Sequence, residues 1–229
     1  MLVIWDIDLT LLNARGFGHH EANALLAARG RTRPEGLVFA GRTDSAIWGE
    51  VLELDAGDPD LGTFLTELGA ACGDAAWGGE PLPGVPELVG ALARMGHSQT
   101  VATGNMAATG WLKLRHAGLA DYMAPRFASF GDRVRDRAEL LEPTLADWGG
   151  RGPVVAVGDT PADALAAAHH GIGFLGVATG RHGADELRAA IAQPWRGPDG
   201  GRVARDGMAV VDDLTDTRAM IGLLEDLSR

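Results

Sequence analysis

A single cysteine, Cys72, and a single lysine, Lys113, stand among 229 residues. One cysteine excludes an internal disulfide and any cysteine-rich zinc site, and a lone thiol of this kind reads as a small core residue. Basic charge is scarce too, since 20 Lys and Arg against 31 Asp and Glu leave a formal net charge of −11. That balance argues against a general nucleic-acid or anionic-membrane binder, which needs a basic face, yet it leaves room for a local anion site. Apolar runs are short, none approaching the roughly 18 residues of a membrane span, and no basic stretch precedes an apolar one at the amino terminus. The expectation is a cytoplasmic protein whose partner is a small molecule, with neither nucleic acid nor membrane.

Apolar residues make up 46 % of the chain, enough to exclude disorder and to build one large or two modest domains. Runs at 2–5, 100–102, 154–157, 174–177 and 209–211 are uniformly apolar and stop at polar turns, as strands buried on both faces do. Helical patterns at 85–95, 107–117, 138–148, 162–169 and 184–190 fall between them. The alternation predicts right-handed crossovers and an α/β fold with a doubly wound parallel sheet. Residues 15–80 break the rhythm, with helical patterns at 20–28, 44–54 and 61–72 and no strand. The expected organisation is a core of 1–14 and 81–229 carrying an all-helical insertion at 15–80. Residues 81–86, proline-rich, read as a rigid return linker, and 194–207 as a surface loop.

Three polar clusters end the apolar runs. In Asp6-Ile7-Asp8-Leu9-Thr10, residues two apart share a face of an extended chain, so both carboxylates would stand together. Like charges that close demand a cation, and a hard divalent ion with oxygen ligands such as Mg²⁺ meets the demand. Thr103-Gly104-Asn105 offers a hydroxyl and exposed amides suited to a phosphate, although Asn105 also reads as a helix N-cap. Gly158-Asp159-Thr160-Pro161-Ala162-Asp163 brings a third carboxylate, Asp159, to the same sheet edge. Thr160 with Asp163 three residues on reads as a capped helix start.

The three clusters, in this order, resemble the haloacid dehalogenase-like hydrolase superfamily, and within it the phosphoglycolate-phosphatase-like branch with a helical cap. Asp6, Asp8 and Thr10 match its DxDx(T/V) motif, Thr103 its strand-terminal Thr or Ser, and Gly158, Asp159 and Asp163 its GDxxxD motif. The family's lysine before the fourth strand is replaced, the matching stretch 136–140 offering Arg137, with Arg133 and Arg135 near enough to compete. Lys113, ten residues past Thr103 in a helix expected to run away from the sheet edge, should lie roughly 10 to 15 Å from the site at ~1.5 Å per residue.

The resemblance implies a Mg²⁺-dependent phosphatase acting on a small phosphorylated metabolite. Asp6 would attack phosphorus and Asp8 would serve as general acid and base. Asp6, Asp8, Asp159 and Asp163 would form the metal site, and Thr103, Gly104, Asn105 and Arg137 would hold the phosphate. Arg42 in the helical insertion, with His19 and His20, is the candidate reader of the leaving group. A phosphomutase, a dehalogenase on the same fold and a non-catalytic binding protein are the alternatives, and the second aspartate, Asp8, speaks against the dehalogenase.

Overall fold

The computed structural model describes residues 1–55, 57–193 and 207–229. The chain opens with β1 (Leu2–Trp5) and β2 (Leu12–Asn13), then helices α1 (His19–Ala28), α2 (Asp44–Leu52) and α3 (Pro59–Gly73), then β3 (Glu80–Pro81). There follow α4 (Val85–Arg94), β4 (Ser98–Thr103), α5 (Ala107–His116), β5 (Ser129–Phe130) and α6 (Leu141–Trp148). The remainder is β6 (Val154–Gly158), α7 (Pro161–His170), β7 (Gly173–Val177), α8 (Ala184–Ile191), β8 (Met208–Val211) and α9 (Thr217–Leu227).

Six strands form one parallel sheet in the order β5-β4-β1-β6-β7-β8. From β1 the chain builds outward through β4 to β5, then returns to β1's other side and builds through β6 to β8. The direction of winding therefore reverses around β1, and such reversals open a crevice at the carboxyl ends of the strands. Trp5 lies opposite Val101 on one side and Val157 on the other, so the loops after β1, β4 and β6 emerge side by side.

Side chains alternate across the sheet. Val3 and Trp5 face a cluster that includes Leu88, Val89 and Leu92 of α4 and Leu224 and Leu227 of α9. Leu2 and Ile4 face Leu140, Leu141, Trp148 and Ala166 on the other side. In α4 the buried positions Val85, Leu88, Val89 and Leu92 follow the helical period, and Pro86 sits in the first turn where a missing N–H costs nothing. The expected strands and core helices are all present. The short β5 and the terminal α9 are additions: β5 is two residues long, and α9 follows the 194–207 segment, of which only Gly207 lies among the described residues.

Helices α1, α2 and α3 bury a cluster of their own, including Leu26, Ile47, Trp48, Phe64, Leu65 and Leu68, to which the sheet side contributes Met106. Their entry and exit are tied together, because Leu12 pairs with Pro81 and Asn13 with Glu80 in an antiparallel ribbon reinforced by an Arg15–Glu80 ion pair. The 81–86 segment is thus strand at its start and the first turn of α4 at its end, rather than a free linker.

Candidate active site

A tight turn follows β1. Leu11 and Leu12 donate their N–H groups to the Ile7 carbonyl at 2.9 and 3.1 Å, and Leu9 adopts a left-handed conformation with φ 59°. Both aspartates line the same pocket, as a shared face predicts, and the charge of Asp8 acts on Asp6. Asp6 is buried against Arg137, whereas Asp8 opens into a pocket with its side chain 38 % exposed.

Carboxylate oxygens of Asp6, Asp159 and Asp163 lie within 4.8 Å of one another. Arg137 is wedged among them, its Nη2 2.6 Å from both Asp6 Oδ1 and Asp163 Oδ1 and its Nε donating to Asp163 Oδ1 at 2.8 Å. Asp163 Oδ2 accepts from the Thr160 N–H and hydroxyl at 3.1 and 2.7 Å, completing the capping box of α7. Both Asp163 oxygens are therefore engaged. Asp159 is less occupied, with the Thr10 hydroxyl at 3.5 Å.

The cluster is electrostatically unbalanced. Burial raises Asp6 from 3.8 to about 6 even against the attraction of Arg137, with the Asp163 and Asp8 charges adding to the rise. Burial and then the charges of Asp6 and Asp163 push Asp159 to about 8. Hard oxygen donors at this separation, with more negative charge than the one guanidinium offsets, fit a divalent cation. Asp6 and Asp159 have the free lone pairs to hold it.

On the β4 side, Thr103 is fully buried and its Oγ1 accepts from the Asn105 N–H at 3.3 Å and from Asn105 Nδ2 at 2.8 Å. Gly104 is required by close approach, since a Cβ there would overlap the Arg42 carbonyl oxygen and stand 2.9 Å from Arg137 Nη1. Asn105 is not the N-cap of α5. Its amide instead donates to Asp8 Oδ2 at 2.7 Å, while Asp44 and Asp132 accept the Met106 and Ala107 N–H groups at the helix start. Burial raises Asp44 to about 6 despite that bond.

Lys113 corrects the expectation drawn from its distance along α5. Its Nζ lies 2.9 and 2.6 Å from the two Asp8 oxygens and 2.6 Å from Asn105 Oδ1. The helix runs alongside the pocket instead of away from it, and Lys113 shares its buried face with Thr109 and Gly110. That spacing of four and three residues, on the one lysine of the chain, was the available signal.

Arg133 and Arg135 are exposed, and Arg135 donates to the Leu54 carbonyl, which leaves Arg137 alone among the three in the cluster. Helices α1–α3 and the sheet edge border an open pocket of about 310 Å³, lined on the sheet side by Asp6, Asp8, Thr103, Asn105, Arg137 and Asp159. Arg42 and His19 line its other wall, while His20 is exposed. The Arg42 guanidinium is bound to Glu50 at 2.5 Å and to the Ala46 and Val38 carbonyls, so it is not free for a ligand in this arrangement. Trp48 is buried among α1–α3 and also walls the pocket. Among the described residues, no helix is long and apolar enough to cross a membrane.

The profile of the haloacid dehalogenase-like hydrolases matches residues 1–171, and that of the HAD-hydrolase-like group residues 137–217. No curated protein matches the sequence. Among solved structures, the chain is similar to a predicted phosphatase from Clostridium acetobutylicum, with 18 % identity, coverage of 97 % and 98 % of the two chains and a TM-score of 0.70. A predicted phosphoglycolate phosphatase from Haemophilus somnus aligns at 17 % identity over 96 % and 97 % of the chains with a TM-score of 0.65. A protein from Bacteroides vulgatus assigned as a β-phosphoglucomutase aligns at 17 % identity over 100 % and 90 %, TM-score 0.66. At these identities the structural likenesses establish the fold. With the profile spanning most of the sequence and the acidic cluster at the carboxyl edge of its sheet, this chain belongs to the haloacid dehalogenase-like hydrolases.

Proposed function

We propose that the protein is a Mg²⁺-dependent phosphatase that cleaves a small phosphomonoester through an aspartyl-phosphate on Asp6. The observation that carries the reading is the Asp6–Asp159–Asp163 cluster held by Arg137 at the floor of a pocket between the sheet edge and helices α1–α3. Asp6, Asp159 and the Asp8 carbonyl would hold a Mg²⁺ ion, whose positive charge would let an anionic carboxylate approach an anionic phosphate.

Asp6 attacks phosphorus, forming a bond from its carboxylate oxygen as the bond to the leaving oxygen breaks. Asp8 gives its proton to that oxygen, then takes one from the water that attacks the same phosphorus and frees inorganic phosphate. Thr103, the amides after it and Arg137 stabilise charge on the transferring oxygens, with Arg137 in the role the resemblance gives to a lysine. Asp163 acts through Arg137, because its own oxygens are engaged. The helical unit of residues 15–80 serves as a cap that excludes water from the pocket.

The test is phosphate release from a panel of phosphomonoesters with and without Mg²⁺, by wild type and Asp6→Asn. Metal-dependent release that disappears in Asp6→Asn supports the reading. A chain that binds the same compounds and releases nothing with any divalent metal overturns it in favour of a binding protein.

A further inference from the structure

The walls of the pocket describe the leaving group. Away from the acidic floor Phe17, Phe39, Ile47, Trp48, Leu68 and Met106 build an apolar stretch of wall, three of the six aromatic, beside the polar His19, Arg42 and Asp44. Phe39 and Trp48 stand edge to face with centroids 6.1 Å apart, and the His19 ring tilts against Phe39 at 5.0 Å. Burial, then the nearby Arg33 and Lys113, lower the His19 pKa and favour its neutral form.

The charged lining residues are four cations, Arg15, Arg42, Lys113 and Arg137, and four carboxylates, Asp6, Asp8, Asp44 and Asp159. Each of the four cations already has a carboxylate partner: Glu80, Glu50, Asp8, and Asp6 with Asp163. A carboxylate or second phosphate on the leaving group would have to compete with these carboxylates for a positive partner, and it would sit near the negative charges of Asp8 and Asp44. An uncharged ring or branched alkyl group would gain the full benefit of leaving water.

Resting on the phosphatase reading of the same site, we propose that the substrate is a phosphomonoester whose leaving group is uncharged and apolar, aromatic or branched aliphatic, rather than a phosphorylated carboxylic acid. The preference lies in the Phe39–Trp48 wall, remote from the reacting atoms.

Benzyl phosphate and 2-phosphoglycolate test it, because both leave as alkoxides and differ chiefly in what the pocket walls would touch. Dissociation constants are measured calorimetrically on Asp6→Asn with Mg²⁺, and phosphate release on wild type. The expected result is benzyl phosphate bound at least about tenfold more tightly, with Phe39→Ala abolishing most of that advantage and leaving 2-phosphoglycolate unchanged. Equal or better binding of 2-phosphoglycolate, or equal weakening of both ligands by Phe39→Ala, overturns the leaving-group inference, whatever the turnover. Preferential binding of benzyl phosphate without release of phosphate by wild type upholds the inference and overturns the phosphatase reading. Binding of neither ligand overturns both.

Discussion

Stripping the divalent cation from this protein should make it less stable at about pH 8 than at about pH 5, and Mg²⁺ should remove most of the difference. The unfolded Asp6 and Asp159 titrate near 3.8, but the folded cluster holds their protons to about 6 and about 8. Between those limits the folded state binds more protons than the unfolded state, so stability falls as pH rises. The loss is complete above about 6 for Asp6 and about 8 for Asp159. At about 1.4 kcal/mol per tenfold change in proton affinity, Asp6 accounts for roughly 3 kcal/mol over its whole range, of which about 1.4 kcal/mol falls above pH 5, and Asp159 supplies most of the remainder. The two groups share one field and do not add, so about 3 to 5 kcal/mol is expected for the cluster. For a chain of this size that corresponds to a Tm shift on the order of 10 °C. Mg²⁺ replaces the missing positive charge and adds its own binding free energy.

The assay is thermal unfolding across this pH range in chelator and in Mg²⁺. Asp44, also raised to about 6, works in the same direction as the cluster, and His19 and His97, both lowered by burial, work in the opposite one. Subtracting the two series at each pH cancels these groups. A metal-free Tm difference that fails to grow from about pH 5 to 8, or equal Mg²⁺ stabilisation of Asp159→Asn and wild type, refutes the reasoning.

Four substitutions extend the test. Arg137→Met leaves Asp6 and Asp163 buried without their cation, so about 3 to 5 kcal/mol of stability and at least ~100-fold of phosphate release should be lost. Arg137→Lys returns the charge without the fork and should recover part of both, as kinetics and denaturant melts would show. Lys113→Met frees Asp8 and Asn105. It should lower kcat by about tenfold or more with KM little changed, at a stability cost of only about 1 kcal/mol because Asp8 is 38 % exposed. A Cβ at Gly180 would overlap the Asp159 carboxylate, so Gly180→Ala should weaken Mg²⁺ binding about 10- to 100-fold by titration calorimetry; unchanged affinity would count against Asp159 as a ligand.

The parts of this fold written as local patterns were legible in the sequence. Uniform apolar runs marked the parallel strands, and Thr160-Pro161 with Asp163 marked the start of α7 down to its capping box. Arg137 was suggested, beside Arg133 and Arg135, only by the resemblance to a family with a lysine in that stretch, and of the three it is the one that meets Asp6. What was not legible depends on how elements lie across one another. Asp6 and Asp8 take different partners, Arg137 and Lys113, from elements far along the chain, which alternation along a strand does not foresee. Lys113 was misplaced because rise along a helix says nothing about which way the helix points. Asp44 reaches the start of α5 from 62 residues away, and Gly180 meets Asp159 across two loops, both tertiary contacts without a sequence signal.

The central claim is that Asp6 carries the phosphoryl group. Rapid acid quench of wild type during turnover of an accepted substrate with Mg²⁺, followed by peptide mass analysis, tests it directly. One added phosphoryl group is expected on the peptide containing Asp6, with none in Asp6→Asn. Phosphate released over many turnovers by Asp6→Asn at the wild-type rate, with no adduct on the wild-type peptide, would contradict it.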